Sequence, residues 1–150
     1  MSFKDLQLNK PILRAVAEAG YDNPTLVQDK TIPMVLDRKD VITSAQTGTG
    51  KTAAFALPIL QLLYDKQIAS KKGKKIRALV VSPTRELAIQ IAKNFTTYST
   101  YTNLTSAVIY GGTSIEPQKD ILTKGIDILV ATPGRLLDLH KQDLLNLDYI

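Results

Sequence analysis

Apolar positions along this chain recur with two spacings that alternate from one end to the other. Ile12, Leu13, Val16 and Ala17 fall on one face of a helix that starts near Lys10. Asn9 can cap it, Pro11 sits in its first turn, and Gly20 is placed to end it. A second helix begins at Pro24-Thr25 and is expected to break or restart at Pro33, before Leu36. Val41-Ile42 reads as a short β-branched strand. Beyond Lys51 a helix carries Phe55, Leu57, Ile59, Leu60 and Leu63, with Pro58 expected to kink or stop it. Residues 76–82 form a near-continuous apolar run, predicted as a strand buried on both faces. Leu87, Ile91, Phe95 and Tyr98 return to helical spacing. A strand over 106–110 ends at Gly111-Gly112, and a short helix over 116–122 stops at Gly125. Residues 126–131 give a further strand and 135–140 a further helix, and a new strand is expected at Leu147-Asp148-Tyr149-Ile150.

Strands alternating with helices predict an α/β fold with a largely parallel sheet between helices. Ligands of such sheets bind beyond the carboxyl ends of the strands. Four groups lie at those ends: the glycine-rich run 45–52, Pro83-Thr84-Arg85, Gly111-Gly112, and Thr132-Pro133-Gly134-Arg135. They are expected to share one edge. No internal repeat, low-complexity tract or interdomain linker interrupts the pattern.

Composition narrows the class. The chain has 150 residues, 44% of them hydrophobic, which suits one domain with a real core. No apolar stretch is long enough to span a bilayer, and the opening residues hold no signal-peptide core. There is no cysteine and one histidine, His140, so thiolate and histidine metal sites are disfavoured and a cytoplasmic protein is expected. A formal net charge of +5 suits a polyanionic partner such as nucleic acid, or a plain basic surface. The densest basic cluster, Lys71-Lys72-Gly73-Lys74-Lys75, reads more simply as a solvated loop.

The chemistry concentrates at Ala45-Gln46-Thr47-Gly48-Thr49-Gly50-Lys51-Thr52. A strand, a glycine loop and a helix in that order are the context of a Walker A site, in which backbone N–H groups at a helix start cradle phosphate oxygens. Ala45 stands where the strict pattern has glycine, and a glycine-rich turn capping an ordinary helix is the plainer alternative. Gly48 and Gly50 let the backbone curl, Lys51 would reach the β- and γ-phosphates, and the Thr52 hydroxyl would hold Mg²⁺. Upstream, Gln28 could read adenine through its amide. Thr25-x-x-Gln28 is equally a capping box. Thr84 and Arg85, and Thr132 and Arg135, can bind phosphates at helix starts or serve as plain caps and solvated side chains. Gly111-Gly112 requires only a tight turn, yet also lets a backbone approach closely.

The order of these motifs resembles the DEAD-box RNA helicases over essentially the whole chain. Phe3, Gly20-Tyr21 and Pro24-Thr25-Leu26-Val27-Gln28 resemble the family's Q motif, with Val27 where Ile is usual. The glycine loop resembles motif I, Pro83-Thr84-Arg85-Glu86-Leu87-Ala88 motif Ia, Gly111-Gly112 the GG doublet, and Thr132-Pro133-Gly134-Arg135 motif Ib. The opening segment is most similar to the bacterial RhlE-type branch. The resemblance implies a RecA-like P-loop fold, with ATP and Mg²⁺ as cofactors and RNA as partner. It makes Gln28 the adenine reader, with Phe3 and Tyr21 as aromatic walls and Thr25 beside them. It makes Pro83, Thr84, Arg85, Gly111, Gly112, Thr132, Pro133, Gly134 and Arg135 contacts to the RNA backbone, with little sequence preference. Two other readings fit the residues: a stand-alone RNA-binding module, and another P-loop hydrolase such as a DNA translocase.

Phosphoryl transfer of this type also needs an acid at the end of an apolar strand to hold Mg²⁺. No four apolar residues precede an Asp-Glu pair here. Asp127 precedes its strand, Asp138 lies in a predicted helix, and Asp148 falls where a strand is expected to begin. The family's Asp-Glu-Ala-Asp and Ser-Ala-Thr motifs and its second RecA-like domain do not occur within these residues. The chain therefore reads as residues 1–150 of an incomplete N-terminal ATP-binding domain, expected to bind nucleotide but not to hydrolyse ATP alone. In RecA-like sheets the absent strands lie beside the glycine-loop strand, so an unpaired edge and self-association are expected.

Overall fold

The computed structural model describes residues 2–66 and 74–150; most of the lysine cluster, Lys71-Lys72-Gly73, lies outside them. The chain divides into two compact units. One comprises the residues up to 66 with Asn94–Asn103, the other 74–93 with 104–150.

The first unit is helical. A 3-10 turn, Phe3–Leu6, leads into α1, Lys10–Glu18, then α2, Leu26–Leu36, and α3, Lys51–Asp65. Asn9 occupies the N-cap of α1 as expected, but its side chain makes no cap bond and donates instead to Asp65 at 2.8 Å. Gly20 ends α1 at φ +85°, a left-handed value that glycine adopts without a Cβ clash. Ile12, Val16, Ile32, Leu57 and Leu60 are fully buried. The Phe55 ring meets Phe95 with centroids 6.3 Å apart, and Tyr21 meets Tyr98 edge-on at 6.2 Å.

Both prolines expected to interrupt these helices lie inside them. Pro33 is four residues from the end of α2, and Pro58 sits in mid α3. A proline removes one backbone hydrogen bond and crowds the carbonyl four residues back, at a cost of roughly 3 kcal/mol. In α3 that cost is offset by burial, since Pro58 is itself buried, as are Ala54, Ala56, Leu57 and Leu60 of the same helix. In α2 the lost bond falls in the last turns, and the helix closes through Asp37 N to Pro33 O at 2.9 Å.

Val41-Ile42, expected to be a strand, forms no ladder. The segment is without regular structure and Ile42 is wholly exposed. β-Branched residues favour extended backbone, but a strand also needs a partner for its N–H and C=O groups, and no strand pairs with this segment among the described residues.

The second unit holds a three-stranded parallel sheet. β1, Ala78–Val81, and β2, Ser106–Ile109, both pair with β3, Ile128–Ala131, giving the order β1-β3-β2. The registers Val81↔Ala131 and Ile109↔Ala131 bring the three carboxyl ends level. Burial on both faces, expected for 76–82, belongs to β3, every residue of which is buried. β1 is an edge strand, and Val81 is 52% exposed. α5, Glu116–Lys124, and α6, Pro133–Lys141, pack on the sheet, and α4, Arg85–Tyr98, follows β1, its last residues from Asn94 on being counted in the first unit. Leu87, expected on the buried stripe of α4, is exposed, while Ala88, Ile91, Ala92, Phe95 and Tyr98 are buried. Leu129, Ile109 and Leu139 centre the sheet's core. Residues 147–150 form a turn rather than the expected strand, because Asn146 Oδ1 accepts from Asp148 N at 2.9 Å and Leu147 O from Ile150 N.

At the amino end of the sheet, buried Asp127 joins the strands. Its carboxylate accepts from Thr105 N at 2.9 Å, Lys74 Nζ at 3.0 Å and Arg77 Nη2 at 3.1 Å. Burial pushes this carboxyl up, but the amide and the two cations outweigh burial and hold it below the ordinary carboxylate value.

Candidate functional site

The glycine loop is built by the first unit. Residues 45–50 curl ahead of α3, and Gly48 and Gly50 both stand at φ +81°. Gly50 is the N-cap of α3, so the first-turn N–H groups of Lys51, Thr52 and Ala53 face the loop without intrahelical partners. The positive end of the helix dipole adds to them. Thr49 Oγ1 donates to Gln46 O at 2.6 Å and closes the loop on itself. Thr47 and Gly48 are exposed at its tip, and the Lys51 ammonium reaches back to the Ala45 carbonyl. The half-buried Thr52 hydroxyl follows in the first turn. One hydroxyl plus phosphate oxygens is a donor set that suits Mg²⁺, which keeps much of its water. Among the described residues no group of three or more acidic, histidine or cysteine side chains is placed to hold a metal ion.

Thr25 and Gln28 brace this loop. Thr25 caps α2, and its hydroxyl accepts from Gln28 N at a long 3.5 Å while donating to Thr49 O at 2.9 Å. Gln28 Oε1 accepts from Thr25 N at 2.9 Å, completing the capping box, and Nε2 donates to Gly50 O at 3.1 Å. An N–H can only donate and a C=O only accept, so the two partners fix the orientation of the amide. A Cβ on Gly50 would lie 2.2 Å from Gln28 Nε2, so this position requires glycine twice over. The capping reading of Gln28 thus holds. Its side chain is 0% exposed, with one Nε2 hydrogen and one Oε1 lone pair uncommitted. Of the two aromatic candidates, Phe3 is 4% exposed with its ring turned inward, and Tyr21 is 40% exposed.

The other candidates lie in the second unit, at the level carboxyl ends of the sheet. The expectation of four groups on one edge holds there for three. Thr84 caps α4, accepting from Leu87 N at 3.2 Å, with Pro83 before it. Thr132 is the N-cap of α6 but makes no cap bond through its hydroxyl, and Pro133 and Gly134 follow exposed in the first turn. Gly112 stands at φ +76°, with Gly111 exposed beside it. The Arg85 guanidinium lies over the Tyr110 ring, 4.6 Å from its centroid. Arg135 donates to Thr113 O at 2.8 Å and Gln118 Oε1 at 3.2 Å. Sequence reasoning passed over Tyr110, Thr113 and Gln118. The one available signal was a glutamine among the apolar positions of a short amphipathic helix.

Similarity to known proteins converges on one family. The model of the DEAD/DEAH box helicase family matches residues 25–150. The chain is 46% identical over 142 residues to the DEAD-box ATP-dependent RNA helicase RhpA of Helicobacter pylori, covering 95% of this chain and 27% of that protein. It is 41% identical over 151 residues to the ATP-dependent RNA helicase RhlB of Shewanella woodyi, covering 99% of this chain and 34% of RhlB. A crystal structure of a DEAD box protein from the hyperthermophile Methanococcus jannaschii superposes with a TM-score of 0.89 at 40% identity, over 100% of this chain and 39% of that one. The chain thus spans about a third or less of the curated relatives it matches, and its fold is the RecA-like α/β fold of that structure. From residue 25 to residue 150 this chain belongs to the DEAD/DEAH box helicase family.

Proposed function

We propose that this chain is the ATP- and RNA-binding part of an ATP-dependent DEAD-box RNA helicase that remodels RNA duplexes in the cytoplasm. The opening motif, Phe3 with Gly20-Tyr21 and Pro24 to Gln28, supports the RhlE-type branch. The observation that carries the reading is the loop 45–50. Two left-handed glycines end on the first turn of a fifteen-residue helix, followed at once by Lys51-Thr52 and braced from behind by Gln28. In this reading the loop amides and Lys51 bind the triphosphate, and the Thr52 hydroxyl takes a place on Mg²⁺, which supplies charge neutralisation when bound. Tyr21 offers a ring face to the base. The uncommitted hydrogen and lone pair of Gln28 meet an adenine edge once the base uncovers them. Arg85, Arg135 and the backbone of Gly111-Gly112 and Thr132-Pro133-Gly134 follow RNA phosphates. Without an acid pair after an apolar strand, these residues bind nucleotide and do not turn it over.

The open segment 41–44 supports self-association. A groove of about 700 Å³ runs beside it, lined by Leu26, Val27, Met34, Val41, Ile42 and Ala45. A segment outside any ladder offers both backbone donors and acceptors, so it is complementary to its own copy.

Titration of a fluorescent ATP analogue and its GTP counterpart, with and without a labelled oligouridylate, tests the reading. Expected are Lys51-dependent binding that favours adenine, and RNA binding lost in Arg85→Ala and Arg135→Ala. RNA binding that ignores both nucleotide and Lys51 would select the stand-alone RNA module. Absence of base preference would select a different P-loop hydrolase.

A further inference from the structure

Two arginines of this chain are held in place in different ways. Arg77, at the amino end of the sheet, is neutralised by buried Asp127. Arg135, at the carboxyl end, is held by neutral oxygens only, Thr113 O and Gln118 Oε1. Neither Arg135 nor Arg85 has a carboxylate partner among the described ion pairs. Gln118 is 6% exposed on α5, and its other amide atom, Nε2, donates to Tyr110 O at 3.1 Å. Tyr110 in turn lies under Arg85. One buried amide therefore ties the loop after β2, the guanidinium after β3 and the ring beneath the guanidinium after β1.

We propose that Gln118 is a positioning residue for RNA. It aims Arg135, and through Tyr110 seats Arg85, toward the phosphate backbone while leaving the charge of both uncompensated. The proposal rests on the reading that these arginines bind RNA. A free arginine loses considerable side-chain entropy when it engages a phosphate, and prior fixation removes much of that cost. Neutral partners fix without competing, because the remaining guanidinium donors and the full charge stay available. The partners also dictate one amide orientation, since Tyr110 O only accepts and Arg135 only donates.

The test is fluorescence anisotropy of a labelled oligouridylate on the chain over a salt series. Gln118→Met keeps the volume and removes both hydrogen bonds. Expected is about tenfold weaker RNA binding with a salt slope smaller by about 0.7, the equivalent of one phosphate contact on a single strand. Affinity for the ATP analogue stays unchanged. Arg135→Ala removes the first contact outright, and adding Gln118→Met then costs only the smaller share passed to Arg85 through Tyr110, so the double variant loses less than the sum of the two single losses. Gln118→Glu still holds Arg135 but neutralises it, and binds RNA more weakly than Gln118→Met. A Gln118→Met protein that melts earlier yet binds RNA with the parental slope would overturn the proposal, as would additive losses or a Gln118→Glu protein that binds normally. Arginine variants that leave RNA binding intact would instead overturn the RNA reading and the proposal together.

Discussion

Replacing Gln28 by alanine tests how the nucleotide loop is held. The substitution removes the bond from Thr25 N to Oε1 at 2.9 Å and the bond from Nε2 to Gly50 O at 3.1 Å. Each is worth about 1 kcal/mol net, and the emptied amide site adds a cavity term, for a total of about 2–3 kcal/mol. For a chain of this size that corresponds to a melting temperature lower by about 5–10 °C. The control is Gln28→Glu. One of its oxygens still accepts from Thr25 N, but the other faces the Gly50 carbonyl without a proton. Burial raises that carboxyl in the folded state, so the variant regains stability as pH falls and the protonated group donates to Gly50 O. The assay is urea unfolding across pH, followed by titration with ATP and GTP analogues. If Gln28 only braces the loop, both nucleotides weaken equally. If it also meets adenine, the ATP analogue weakens more and the preference narrows. A Gln28→Ala protein with parental stability and parental affinity for both nucleotides would refute the bracing argument.

Three further outcomes are expected. Asp127→Ala should cost about 3–5 kcal/mol in urea unfolding, because it removes a buried carboxylate that accepts from Arg77, Lys74 and Thr105 N together. The folded Asp127 carboxyl lies below its ordinary value, so its contribution is complete at neutral pH and disappears as pH falls through that lowered value. Parent and variant should therefore converge in strong acid, and parallel acid-unfolding curves would contradict the assignment. Thr52→Ala should abolish the Mg²⁺ dependence of ATP-analogue binding while Lys51→Ala weakens binding at any Mg²⁺ level. Phosphate release by the parent beyond one turnover would refute the expected lack of hydrolysis. Ile42→Lys should shift sedimentation of the chain toward monomer, and a parent that sediments as a monomer at every concentration would remove the self-association proposal.

Local signals carried most of the fold and stopped where pairing decided the outcome. Thr25, Gln28, Gly20 and Gly125 mark helix ends through bonds and dihedrals reached within a few residues, and each stands where its chemistry placed it. Pro33 and Pro58 did not stop their helices, Pro33 because the bond it loses falls in the last turns of α2 and Pro58 because it is buried in α3, and neither circumstance can be read from the neighbouring residues. Val41-Ile42 has the composition of a strand, but pairing is a property of two segments, and no strand pairs with it among the described residues. The same limit placed full burial on 76–82 rather than on β3, since nothing within an apolar run says whether it will be central or edge. At the candidate site the conformation of the glycine loop was legible because Gly48, Thr49 and Gly50 shape it through backbone dihedrals and a bond of short reach. Tyr110 and Gln118 were not, because their roles come from a carbonyl and a guanidinium far away in sequence.

The strand order β1-β3-β2 also governs when the sheet can come into being. β1 and β2 emerge first from the ribosome, and neither pairs with the other. Both ladders wait for residues 128–131, the last strand of the three to be synthesised. Until then two apolar segments are exposed with open edges, in a parallel topology whose long loop closures fold slowly. Asp127 is made one residue before β3, and its main chain already bonds Arg77, Ala78 and Thr105. These bonds hold the starts of both earlier strands, so one short stretch of chain, 127–131, supplies the partner that β1 and β2 share.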